Sequence, residues 1–179
     1  MNIKEVKTAI KVGEFVLKKK GRNKIGIEYL PEISEDILED DSPRVYLFVV
    51  DGIVKKIGGS SCKGGIKATM SFYTSAMTGS PGPPRFIIHL LIAEALKRGS
   101  KVELYMITSP KTKAKVPGLF SYHEVEIASF KEMESFCKKD YFLKEKRFPD
   151  WNFQENHEEY PKRLYSLYLS YHKKRIKKK

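Results

Sequence analysis

The sequence predicts an α+β domain: a small three-stranded antiparallel sheet flanked by helices, with an N-terminal extension and a C-terminal helix. Three observations predict it. Residues 45–50 and 53–58 are β-branched, aromatic-rich runs joined by Asp51-Gly52, a strong hairpin signal. Residues 101–108 alternate Val102, Leu104 and Met106 with Glu103, Tyr105 and Ile107, as a strand does. Between and after these runs, apolar residues recur at helical spacing.

The elements follow in order. Residues 1–43 read as an extension with a short helix near residues 3–10. A hairpin follows, over 15–19 and 25–30, turning through Gly21-Arg22-Asn23. The acidic run 34–41 suggests one helical turn before Pro43 marks a boundary. A core domain over 44–152 then begins with the Asp51-Gly52 hairpin. Ile66, Met70 and Tyr73 define a helix over 66–77 that Thr78-Gly79 ends. The loop 80–84 precedes a strongly apolar helix over 85–98, stopped by Gly99. The third strand, 101–108, is apolar on both faces and is expected at the sheet centre. Residues 109–119 read as a polar loop with three lysines. Ser121-x-x-Glu124 and Ser129-x-x-Glu132 both fit a capping box, and the second is preferred as the start of a helix presenting Phe130, Met133, Cys137 and Tyr141. Residues 153–179 form a last helix from Pro161, with a Leu164, Leu167, Tyr168, Tyr171 stripe and a basic tail.

Composition narrows the function classes. The chain has 179 residues and is 41% hydrophobic, enough for one domain with a real core rather than a disordered chain. No apolar run reaches membrane-spanning length, and the first residues lack a signal peptide's apolar stretch. Cys62 and Cys137 show no metal-binding spacing and are expected as free thiols in a reducing cytoplasm. The formal net charge of +12 favours a polyanionic partner, nucleic acid first. A membrane surface or ribosomal RNA fits the same charge. The terminal lysine run alone also fits a solvated tail.

The hairpin sets a geometric test. A two-residue Asp51-Gly52 loop pairs Val50 with Ile53, which puts Tyr46 opposite Ile57 and sends Lys56 to the other face. A three-residue loop, Val50-Asp51-Gly52, pairs Val49 with Ile53 and puts Tyr46 opposite Lys56. The second geometry is expected if Tyr46 and Lys56 act on one phosphate.

Tyr46 on one strand and Lys56-Ile57-Gly58 on the next resemble the paired motifs that open the GIY-YIG nuclease superfamily, with lysine in place of the usual second tyrosine. The order hairpin, helix, helix, strand, helix is similar to that fold, and Pro149-Asp150-Trp151-Asn152 looks like its closing proline–asparagine motif. The resemblance covers roughly residues 44–152. It implies a DNA endonuclease, most like a small stand-alone Type II restriction enzyme that hydrolyses duplex DNA with Mg²⁺ or Mn²⁺. It assigns Tyr46 and Lys56 to catalysis. The family's helical arginine falls near Lys67, a departure that gives a point charge rather than a planar fork; Lys63 and Arg85 are other candidates. The family's metal-binding carboxylate falls best on Glu134, with Glu132 and Glu126 open. DNA contacts are expected from Lys63, Arg85, Lys111, Lys113, Lys115, Lys19 and Arg22. A symmetric DNA site implies a homodimer.

Other features carry less. His89 in an apolar helical run reads as a satisfied, partly buried histidine, and Tyr73 as a packing residue. His123 and Glu124 lack a third metal ligand at useful spacing. Gly58-Gly59-Ser60-Ser61 and Gly64-Gly65 lack the phosphate-loop ending and the dinucleotide-binding spacing, so no nucleotide cofactor is expected. The competing readings are a structure-specific repair nuclease, a non-catalytic nucleic-acid binder on the same scaffold, and an RNA-associated basic domain.

Overall fold

Five strands form one antiparallel sheet in the order β2-β1-β5-β3-β4, where β1 is Ile10–Leu17, β2 Ile25–Tyr29, β3 Arg44–Val50, β4 Ile53–Ser60 and β5 Val102–Thr108. The structure is a computed structural model that describes residues 1–109, 112–127 and 130–176. The expected three strands are β3, β4 and β5, and β5 is the central strand. The sheet is larger than expected because the hairpin of the N-terminal extension joins it: β1 pairs with β5 from Ile10↔Met106 to Glu14↔Glu103. That pairing joins residues about ninety positions apart, which local periodicity does not encode. The helix expected near residues 3–10 is a single 3₁₀ turn, Ile3–Glu5, capped by Asn2; Ile10 already belongs to β1.

Helices cover both faces. On one side α2 (Gly65–Thr74), α3 (Pro83–Lys97) and α5 (Lys162–Ile176) pack over a core that includes Phe15, Tyr46, Phe48, Ile66, Tyr73, Ile87 and Leu104. On the other side α4 (Phe130–Glu145) covers Val45, Leu47, Val49 and Ile57 with Met133, Cys137 and Tyr141, the face its spacing predicts. The short helix α1 (Glu35–Glu39) packs against α2. Arg44 is wholly buried beneath this corner, its guanidinium donating to the carbonyls of Cys62 at 3.0 Å and Asp40 at 2.5 Å.

Residues 109–119 are not one polar loop. Strand β6 (Thr112–Pro117) pairs with β7 (Tyr122–Ile127) in a separate two-stranded ribbon, so Ser121-x-x-Glu124 lies in a hairpin and caps no helix. Ser129, the preferred cap of α4, lies outside the described residues, as do Lys111 and the end of the basic tail.

Strand β4 is a sheet edge, and open edges invite unwanted pairing. Here the edge is covered. The backbone of Met1 and Ile3 bonds to Val54 and Gly52 near the turn, Trp151 donates to the Lys55 carbonyl at 2.8 Å, and the Asn152 side chain accepts from Ile57 N at 2.9 Å and donates to Ile57 O at 3.0 Å. The closing motif thus acts as a backbone clamp. Asn152→Ala leaves a buried donor and acceptor unpaired, so the urea midpoint should fall by the equivalent of about 1–3 kcal/mol; an unchanged midpoint would refute the clamp. Among the described residues, no helix is long and apolar enough to cross a membrane.

Candidate functional site

The turn decides where Tyr46 and Lys56 point. Asp51 (φ 48°) and Gly52 (φ 78°) both lie in the left-handed region, so the loop has two residues, and Val50 pairs with Ile53. This corrects the expected three-residue loop. A β-bulge restores the shared face by another route: Val49 pairs with Val54 but Phe48 with Lys56, which leaves Lys55 as the extra residue. The alternation flips there, and Lys56 joins Tyr46 and Phe48 on the α2–α3 side. Tyr46 faces Gly58 rather than Lys56. Lys55, displaced outward, pairs with Asp150 at 2.7 Å.

Gly58 and Gly59 make room for the Tyr46 phenol and the Glu134 carboxylate. A methyl group on Gly58 would sit 2.8 Å from Tyr46 Cε2 and closer still to the hydroxyl; one on Gly59 would sit 2.6 Å from Glu134 Oε2 and 3.0 Å from the Phe130 ring. Adjacent Cα atoms are about 3.8 Å apart, so a phenol from one sheet face and a carboxylate from the other approach the edge of β4 at neighbouring residues. The sequence signal was the Gly-Gly pair, whose value lies in the missing side chains rather than in a phosphate loop.

Tyr46 shares a 2.8 Å hydrogen bond with the Tyr73 hydroxyl. Burial, and then Tyr73, push the Tyr46 hydroxyl well above the usual phenol range, with Glu134 adding to the rise and Arg85 opposing it. Burial likewise pushes Tyr73 up to about 12. Both phenols are protonated at neutral pH. Tyr73, expected as a packing residue, is thus a polar partner of Tyr46. His89 anchors it: its Nδ1 lies 2.7 Å from the Tyr73 carbonyl, while its Nε2 accepts from Lys24 N at 3.1 Å. His89 is the satisfied core histidine expected.

Lys56 lies half-buried beside Asn152, Glu155 and the start of α3. Among the described residues no hydrogen bond holds its ammonium; burial lowers its pKa, and Glu155 and Glu134 pull against that. A group depressed in this way costs stability wherever it is charged. Stability therefore rises with pH through the window just below the unfolded lysine value. Lys56→Met removes the cost, and the thermal midpoint should rise by roughly 2–4 °C per kcal/mol regained. A lower midpoint would show that the ammonium contributes to the fold.

Glu134 pairs with Lys138 at 2.6 Å, one helical turn on, and Lys138 also pairs with Glu155, which accepts from Asn152 Nδ2 at 3.1 Å. Glu134, Lys138 and Glu155 line an open groove of about 440 Å³ with Lys131, Lys139, Phe142 and Phe148. Glu155 is not singled out by the sequence, because an ion-pair partner across a loop has no local spacing; Lys138 stands four residues after Glu134 on α4, a spacing that could have offered it. Glu132 faces solvent, and the Glu126 side chain lies outside the described residues.

The arginine position is where the structure departs most from the spacing. Lys67 is turned to α1, paired with Glu35 and, at 2.9 Å, with Glu39. Arg85, at the start of α3, is the cation acting on Tyr46 and Tyr73, its guanidinium 4.3 Å from the centre of the Phe72 ring. Lys63 is exposed in the turn before α2, and Lys19 and Arg22 are exposed around the β1–β2 turn. Lys113 pairs with Glu124 on the ribbon at 2.8 Å, and Lys115 is exposed there.

With this geometry in view, the architecture can be set against solved structures. A variant of bacteriophage T4 EndoII superposes with a TM-score of 0.56 at 20% identity, over 85% of this chain and 98% of that one. The fold is that of EndoII. The restriction endonuclease HPY188I in complex with product DNA aligns with a TM-score of 0.49 at 17% identity, over 82% of this chain and 80% of its own. No protein-family model matches the chain, and no curated protein sequence matches it.

Proposed function

We propose that this protein is a metal-dependent DNA endonuclease of the GIY-YIG type, cutting duplex DNA at a specific site as a Type II restriction enzyme does. One observation carries the reading: Tyr46 lies against Gly58 and Glu134 against its neighbour Gly59 at the edge of β4, with Arg85 acting on Tyr46 and the Glu134 charge felt by both Tyr46 and Lys56. The net charge of +12 supports a polyanionic substrate.

In this reading a water adds to phosphorus and gives up a proton to solvent, one phosphorus–oxygen ester bond breaks, and the departing oxygen takes a proton from solvent, leaving a phosphomonoester and a hydroxyl. The Tyr46 hydroxyl, held by Tyr73, orients the water. Arg85 supplies the forked cation that the spacing assigned to Lys67, and Lys56 supplies a second cation; both stabilise the negative charge that grows on the phosphate. The donor set fits a magnesium ion: Glu134 presents hard carboxylate oxygen to an open groove, and magnesium keeps several waters when a protein offers one or two carboxylates. Bound there, the ion would add Lewis-acid stabilisation.

The test is digestion of supercoiled plasmid with purified protein and Mg²⁺. Nicked and linear products that vanish with EDTA, and discrete fragments from long duplex DNA, are expected. Intact plasmid bound by the protein would favour the non-catalytic binder, and metal-dependent smears would favour a repair-type nuclease.

A further inference from the structure

The groove beside Glu134 changes character along α4. Lys131, Glu134, Ser135, Lys139 and Phe142 recur at the three- and four-residue spacings of one helix face, and they line the groove together with Phe148 of the following loop. Phe142 and Phe148 meet with ring centroids 5.1 Å apart and planes inclined by 37°, and Phe142 is 42% exposed. We propose that this groove is a subsite for an unpaired nucleotide of a DNA strand. Its base lies against the Phe142 and Phe148 rings, and its flanking phosphates lie on Lys131 and Lys139. On the nuclease reading, on which this rests, the strand that reaches the groove is the one cut beside Glu134.

Charge selects a polyanion. Lys138 is committed to Glu134 and Glu155. Lys131 and Lys139 are exposed, and among the described residues neither has a carboxylate partner. Unmatched lysines on a chain of formal charge +12 attract phosphate. At about 1.5 Å of rise per residue the two stand about 12 Å apart along the helix axis. One phosphate cannot satisfy both, whereas a chain of phosphates can.

The rings select an open base. A paired duplex keeps the faces of its bases in the stack, so it would satisfy the lysines and leave the rings in water. An unpaired base offers its faces, and aromatic side chains in a basic groove hold such bases whatever their sequence. These rings are also held in place. The Asn156 side chain accepts from Phe148 N at 2.9 Å and donates to the carbonyls of Phe148 at 3.2 Å and Pro149 at 3.1 Å. Phe142 is carried by α4 itself, next to the buried Tyr141. A rigid platform loses little freedom when a ligand settles on it.

The position along the strand follows from the helix. Phe142 lies about 12 Å beyond Glu134 on the axis. At about 3.4 Å per base step of a DNA strand, the held base belongs three or four positions from the scissile phosphate.

The experiment measures binding of the full chain in EDTA, so it reads the subsite whether or not the chain cuts. The probes are a labelled thymidine oligonucleotide and a fully paired duplex of the same length, followed by fluorescence anisotropy. Phe142→Ala should weaken the thymidine oligonucleotide by roughly 5–150-fold, the worth of one stacked base, and leave the duplex affinity as it is. Phe142→Leu, which keeps apolar bulk without a ring, should act in the same direction, and Phe142→Tyr should restore binding. Lys131→Ala and Lys139→Ala should weaken both probes and lower the salt slope for the oligonucleotide by about 0.7 each. Circular dichroism should be unchanged throughout. Wild-type chain that ignores the oligonucleotide would overturn the proposal, as would Phe142 variants that bind it undiminished or lose both probes equally. Ring-dependent oligonucleotide binding by a chain that leaves plasmid intact would keep the subsite and fail the nuclease reading. Plasmid cleavage by a chain whose oligonucleotide affinity is indifferent to Phe142 would do the reverse.

Discussion

Glu134→Gln is expected to lower plasmid cleavage by about 10²–10³-fold, the loss typical when one group that stabilises developing charge is removed. The substitution keeps the volume and one oxygen while discarding the charge. Duplex DNA binding should persist, since removing a negative charge from a basic chain does not weaken its attraction to phosphate. A second measurement separates the metal role from a structural one. Glu134 also pairs with Lys138, so its loss leaves that ammonium to Glu155 alone; Mn²⁺ binding followed by electron paramagnetic resonance should fall in Glu134→Gln and stay unchanged in Glu132→Gln, whose side chain faces solvent. Full cleavage by Glu134→Gln would remove the carboxylate from the mechanism.

Gly58→Ala should be nearly as severe for activity, and for a different reason. The added methyl would meet the Tyr46 ring and hydroxyl, and that ring is wedged between Phe48 and Tyr73 with centroids 5.3 and 5.9 Å away. Tyr46 is only 7% exposed, so the ring has little room to move. Overpacking of this kind costs about 1–3 kcal/mol, and a displacement near 1 Å at a reacting group costs about 10²-fold in rate. The urea midpoint and the nicking rate should fall together. Gly59→Ala makes the useful contrast: its methyl meets chiefly the flexible end of Glu134 and the edge of Phe130, so stability should fall less while cleavage still suffers. Equal stability losses at both positions would contradict the claim that Tyr46 is rigidly seated.

Legibility in the sequence followed the range of the interaction. The Asp51-Gly52 turn, the central β5 strand, the apolar stripe of α4 and the Pro161 start of α5 were each readable, because each is set by residues within one or two turns of chain. The β1–β5 ladder was not, since its pairing joins segments far apart. Nor was the ribbon: a lysine-rich stretch with a proline and a glycine reads as loop until its glutamate partner strand is recognised.

The site divides the same way. Residue types and spacing nominated Tyr46, Lys56 and Glu134, and local periodicity put Glu134 beside the buried stripe of α4. Periodicity also misled, because one extra residue at Lys55 reverses the face of everything after it, and a bulge is an answer to packing on both sheet faces at once. Lys67 had the right distance along the chain, yet helix rotation turns it to the carboxylates of α1, and Arg85 arrives from another helix. What the chain determines by itself is the local conformation and the inventory of chemical groups. Which groups share a volume is decided only when the two helical layers close over the sheet, since proximity there depends on side chains that are absent, as at Gly58 and Gly59, as much as on those present.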